Sequence, residues 1–266
     1  MEENRFDNDN VDVNRNQFNQ EQSNDIKPKG NLALNILIFI GWMILAQLPV
    51  IAIITLVSLS VKAEVLSITI GTIIYLFVIA IVIWLIRRYY LNHTYEKTKG
   101  FSLKDLGIAI GWAIILRLVV YGFTYLLKLT TGSMQTDNDK LLFGDVNAQA
   151  QDASQLGQVF PVIIFVITLT FLVPYLEELI YRGIFKETLF RKSVFWLPFI
   201  LSSIVFASQH GINNIIAFLM YMIMGMIFYL AYSRRGNIKD SMTVHMIHNG
   251  LIGVMILINY FYILFK

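Results

Sequence analysis

The sequence predicts an all-α, polytopic helical membrane protein with about seven transmembrane helices around a buried polar site. Three observations carry this. Of 266 residues, 56% are hydrophobic and only 15% are charged, with a mean hydropathy of +0.60, whereas a soluble domain carries about 25% charged residues. Several uncharged runs reach the roughly 20 residues that cross a bilayer. The runs are continuous rather than alternating, which excludes a β-barrel. The absence of cysteine rules out disulfides, thiol catalysis, cysteine-ligated metal and attachment of lipid through cysteine. The net charge of +3 is small and its positive residues fall in loops. That pattern reports membrane topology and a lipid bilayer as partner, with no nucleic acid.

Residues 1–30 form a polar tail rich in Asn, Gln and Asp. It has too few apolar groups for a core and is expected to be disordered and cytoplasmic. It lacks an apolar centre behind a basic start, so it does not read as a signal peptide. Residues 31–129 carry the N-terminal transmembrane helices. The first span runs from about Leu32 to Val57, and Lys62 and Glu64 mark a short loop before a second span from about Val65 to Ile86. A basic loop follows, with Arg87, Arg88, Lys97, Lys99 and Lys104. The positive-inside rule makes it cytoplasmic, and the N-terminus with it, in agreement with Lys27 and Lys29. The third span, about Gly107 to Leu127, holds Arg117 near its centre. Such an arginine must face the bundle interior or a wet cavity. It can neutralise a carboxylate or bond helix-end carbonyls, and the sequence does not choose.

Residues 130–158 read as a polar extracytoplasmic loop, and residues 159–266 as the core that holds the site. The fourth helix starts near Phe160, and Pro174 should kink it by removing a backbone bond. Beyond Arg182 it turns amphipathic, with Lys186, Glu187, Arg191 and Lys192, and is expected to project into the cytoplasm. No Lys, Arg, Asp or Glu occurs from Ser193 to Ser233. Gly211, Asn213 and Asn214 divide that stretch into two spans, the second ending at Arg234 and Arg235. The last helix runs from about Asp240 to Leu264. This makes seven spans, or eight if the first segment or the 130–158 loop hides another helix. No internal repeat appears, which weighs against a secondary transporter.

At membrane depth the polar groups are Glu177, Glu178, Arg182, His210, His245 and Asn249. Charge inside a span is costly, so a carboxylate pair there is a functional-site hypothesis. Glu178 and Arg182, Phe206 and His210, and His245 and Asn249 are each four apart and share a helix face. Counted from a cytoplasmic turn at Arg191, Glu177 and His210 differ by about 7 Å in height. A bent fourth helix would close that gap and place the site nearer the cytoplasmic side, reached by a water-filled cleft. Two chemistries are open. One of the two glutamates can act as general base on a water while His and Asn donate to the oxyanion. Alternatively, Glu177, His210 and His245 can hold a divalent metal such as zinc. Either route hydrolyses a peptide bond. His248 points about 60° away from His245 and reads as structural, and His93 as a solvated loop residue.

The ordered set Glu177-Glu178-x-x-x-Arg182, Phe206-x-x-x-His210 and His245-x-x-x-Asn249 resembles the CPBP family of CAAX-prenyl endopeptidases and bacteriocin-processing enzymes, also called Abi. The likeness covers about residues 160 to 255. It includes Gly183 and Gly236-Asn237-Ile238, and Phe101-Ser-Leu-Lys-Asp-Leu-Gly107 is similar to the segment before the third span. The resemblance implies an intramembrane endopeptidase acting on a membrane-associated peptide or protein. Glu177 would activate the water and His210 would hold it. His245 and Asn249 would form the oxyanion site, and Glu178 and Arg182 would orient the rest. Whether a metal takes part, and whether the substrate is prenylated, stay open. Abundant Ile, Asn and Lys lean towards a bacterial plasma membrane. The alternatives are a non-proteolytic scaffold or immunity protein, with the tail or the 130–158 loop receiving an envelope partner, and a transporter that uses the glutamates for coupling.

Overall fold

The computed structural model describes residues 31–94, 100–144, 154, 156–190, 195–210 and 213–266. The expected disordered tail lies outside them, as do Lys97, Lys99, Arg191 and Lys192. The described residues form helices and no strand: α1 Leu32–Ser60, α2 Val65–His93, α3 Leu103–Thr131, α4 Asp137–Phe143, α5 Val159–Leu189, α6 Trp196–Ser208, α7 Ile215–Ser233 and α8 Ile238–Leu264. Six of these, all but α4 and α6, are long and apolar enough to cross a bilayer. The 13 residues of α6 rise only about 20 Å, so six of the seven predicted spans are long enough to cross and the fifth in order is a shorter apolar helix. The helix inside the 130–158 loop is α4, whose 7 residues cannot make an eighth.

Local chemistry sets the helix ends. The Asn31 side chain accepts from the Leu34 N–H at 2.8 Å and starts α1. Ser102 and Asp105 cap each other's backbone at the start of α3, and Thr136 and Asp139 do the same for α4. Each such pair satisfies two amide groups that a helix end leaves without partners. Gly132, at φ 77°, ends α3 in the left-handed conformation that glycine adopts without strain.

At the basic end of the bundle the charges are paired. Arg235 donates to both Asp240 oxygens at 2.7 Å, and Arg234 reaches Asp105 at 2.8 Å and Asp240 at 3.1 Å. These bonds tie the start of α3, the end of α7 and the start of α8 together. Expected as topology markers, the two arginines therefore also staple three helices. One apolar core runs from Phe39, Ile86 and Leu116 to Leu176, Ile184 and Phe228. A second, around Ile53, Tyr75 and Phe165, lies towards the other end.

The helix α5 is not uniform. It is π-helical over Thr168–Leu172 and again over Leu179–Ile184, with Pro174 in the α-helical segment Val173–Glu178 between them. The expected kink is thus joined by two wide turns, and insertions of this kind gather at functional sites. Past Arg182 the helix packs inward, with Phe185 and Thr188 buried, rather than projecting freely. Gly183 permits this, because a Cβ there would lie 2.3 Å from the Tyr90 ring of α2.

Candidate active site

Five of the six predicted site residues meet at one point. Glu178 and Arg182 are fully buried and paired at 3.1 Å one turn apart. Arg182 also donates to the Gly225 carbonyl at 2.9 Å. Its guanidinium carbon lies 5.2 Å from the Phe206 ring centroid and 5.3 Å from that of Phe228. A buried guanidinium needs such partners, since an unpaired one would be expensive. Phe228 went unnoticed in the sequence, where one aromatic in an apolar helix carries no signal.

The two histidines are oriented by their Nδ1 atoms. His210 Nδ1–H donates to the Phe206 carbonyl at 2.8 Å, and its ring stacks on the Phe206 ring at 4.4 Å. The Phe206-x-x-x-His210 spacing thus supplies both a ring and a carbonyl to the same imidazole. His245 Nδ1–H donates to Glu178 at 3.0 Å, and its ring stacks on Phe228 at 4.2 Å. Both Nε2 atoms are left facing Glu177, at 3.6 Å from one carboxylate oxygen and 3.7 Å from the other. These gaps exceed hydrogen-bond length, and a water on the cavity side can bond across the first of them.

The expected height mismatch disappears because α5 ends at Leu189 and α6 starts only at Trp196. Glu177 is then 12 residues from one end (189 − 177) and His210 is 14 from the other (210 − 196), which puts them at similar depth.

The sixth residue, Asn249, lines the same cavity, but its amide donates to the Leu169 carbonyl in α5 at 2.9 Å. Arg117 reaches neither glutamate and donates to the His248 carbonyl at 3.0 Å. Of its two predicted roles, neutralising a carboxylate is not seen, and the carbonyl it bonds lies within α8 rather than at a helix end. His248 is buried against the cavity with its Nδ1 unpartnered among the described residues.

A cavity of about 120 Å³ holds Glu177, His210 and His245 in its wall, whereas Glu178 and Arg182 lie behind it. It extends away from the basic end. Thr124 and Tyr221 flank it, and Asn138, Asp139 and Leu142 of α4 line its far side. Thr136 and Asn138 bond the Tyr221 hydroxyl at 3.0 and 3.4 Å, and so fasten α4 over the cavity. Burial raises the Asp139 carboxyl above its ordinary range, against bonds from Thr136 that lower it. The cleft was expected from the basic end; among the described residues the cavity that holds Glu177 instead reaches towards the opposite end. The reason is that α5 is packed shut below Arg182. The Thr136-x-x-Asp139 capping pattern was the available signal for α4.

Among the described residues, no three His, Cys, Asp or Glu side chains converge as a metal site requires. Glu177 stands between the imidazoles and turns a different oxygen to each. The residues as placed do not form the predicted zinc set of Glu177, His210 and His245.

Residues 159–251 match the family model described as type II CAAX prenyl endopeptidase Rce1-like. The UPF0177 protein YvdC of Lactococcus lactis subsp. lactis (strain IL1403) is 29% identical over 153 residues, 57% of this chain and 52% of that protein. The aligned part thus spans about half the length of that relative. No solved structure matches the chain.

Proposed function

We propose that this chain, whose residues 159–251 match the Rce1-like CAAX prenyl endopeptidase model, is an intramembrane endopeptidase of the CAAX-protease-like CPBP (Abi) family that cleaves a membrane-associated peptide by glutamate-activated water attack. One observation carries the reading. Of two adjacent carboxylates, only Glu177 faces the cavity, and both imidazole Nε2 atoms are turned on it. Glu178 is consumed by Arg182 and His245 and serves orientation.

The steps follow from the placements. A water bonded between Glu177 and His210 gives a proton to Glu177, and its oxygen attacks the scissile carbonyl carbon. His245, held through Nδ1 by Glu178, turns Nε2 on the same space and stabilises the oxyanion there. The C–N bond then breaks, and the leaving nitrogen takes the proton from Glu177. Residues 159–266 act as the catalytic core and 31–129 as the helices that enclose it. With the basic end cytoplasmic in a bacterial plasma membrane, the cavity beneath α4 receives its substrate from the extracytoplasmic side.

The test is complementation of a deletion strain by wild type or Glu177→Ala at matched membrane abundance, followed by profiling of membrane peptides. Peptides that disappear with wild type and accumulate with the variant are the expected result. Identical profiles would overturn the reading.

A further inference from the structure

Asn249 closes a gap that Pro174 opens. In the first π-helical turn the Val173 N–H bonds the Thr168 carbonyl, five residues back. The next donor in that register would be the amide of residue 174, bonding the Leu169 carbonyl. Residue 174 is proline and has no N–H. Leu169 is buried, and its carbonyl has lost Val173 to Thr168 and has nothing to accept from at 174. Buried backbone acceptors are nearly always satisfied. Here the donor comes from another helix: Asn249 Nδ2 reaches the Leu169 oxygen at 2.9 Å.

The sequence of α8 makes this reach available. A Cβ on Gly253 would lie 2.8 Å from Thr170 Oγ1 and 2.9 Å from Val166 Cγ1. A Cβ on Gly250 would lie 3.3 Å from Thr170 Cγ2. These two glycines let α8 approach the π-helical turn of α5 closely, on the face beside Asn249. Glu177 lies three residues beyond Pro174, within the short segment Val173–Glu178 that this turn aims.

We propose that Asn249 is a positioning residue: it replaces the backbone donor missing at Pro174 and so holds the break in α5 that points Glu177 into the cavity. The inference rests on the proteolytic reading for its activity readout, but the hydrogen bond itself does not. It differs from the role in oxyanion binding that the family resemblance implied, and the two make opposite predictions. A direct contact with substrate is needed whatever residue stands at 174. A substitute for a missing amide becomes dispensable once the amide is restored.

The experiment is a double-mutant cycle of Asn249→Leu and Pro174→Ala in the full-length protein, read as turnover of the accumulating peptide at matched abundance and as Tm in detergent micelles. Asn249→Leu alone should slow turnover by about tenfold or more, the equivalent of one unmade buried hydrogen bond. In the Pro174→Ala background, where residue 174 regains its N–H, the same substitution should cost less than about threefold. Its Tm penalty should shrink in parallel. An equal cost of Asn249→Leu in both backgrounds, in turnover and in Tm, would overturn the proposal. Coupling in Tm without any Glu177-dependent cleavage would uphold the positioning role and reject the protease reading instead.

Discussion

The helices α1 to α3 and the helix α5 are built from similar apolar residues, yet they behave differently. Each of α1, α2 and α3 runs 29 residues, and 17%, 22% and 17% of its most apolar window is buried in the protein. In α5 the share is 44%, and the helix is broken by two π-helical turns and a proline. Regular helices satisfy their own backbone and can face lipid anywhere. A helix that must aim two adjacent carboxylates in different directions leaves that register, and its orphaned groups then need partners from neighbours. Asn249 on the Leu169 carbonyl is such a cross-helix bond, and the buried Arg182 side chain of α5 likewise finds a partner across helices in the Gly225 carbonyl of α7. The difference teaches that irregularity here is concentrated where polar groups are placed, and that packing around it is correspondingly intolerant.

That contrast can be broken in several places. The largest structural effect is expected at Arg182→Met, which strands Glu178 in a fully buried site. Loss of one partner of a buried pair costs about 3–5 kcal/mol, seen as a large fall in Tm and in membrane abundance. Gly183→Ala comes next, since its Cβ would enter the Tyr90 ring. Overpacking of this kind costs about 1–3 kcal/mol, readable in the same melt. Gly41→Ala in α1 is the matched control: nothing lies within 4 Å of that Cβ, and a shift within about 0.5 kcal/mol is expected. Equal penalties at Gly41 and Gly183 would dissolve the distinction between the two regions. The smallest effect is expected from chelators. Cleavage should survive a metal-stripping treatment, and loss reversed by added zinc would restore the metal route.

The spans and the site were legible in the sequence for different reasons. Uncharged runs bounded by Lys and Arg located the long helices, because bilayer crossing depends on length and polarity, but α2 runs seven residues past the expected Ile86 (93 − 86) and takes in Arg87 and Arg88, which were expected in a loop. The grouping of Glu177, Glu178, Arg182, His210 and His245 was expected from their polarity at membrane depth and from the resemblance of the ordered motifs to the CPBP family, since four-residue spacing speaks only for pairs on one helix, such as Glu178 and Arg182. What the sequence hid depends on register and on long-range packing. The π-helical turns beside Pro174 have no compositional mark. The partner of Arg117 lies on α8, 131 residues away, beyond any local pattern. The direction of the cavity depends on Gly183 letting α5 pack against Tyr90, and one glycine in a helix does not announce its neighbour. The short α4 was hidden only by being read as loop, for its capping pair was present.

The most direct test of the central claim compares two neighbours, Glu177→Gln and Glu178→Gln, for peptide cleavage at matched abundance and for Tm in micelles. The account predicts that Glu177→Gln keeps its Tm within a few degrees and loses cleavage by on the order of 10²–10⁴-fold, as removal of a general base does. Glu178→Gln should instead lower Tm markedly, because Arg182 loses its buried counter-charge. Full cleavage by Glu177→Gln in a folded protein would contradict the account.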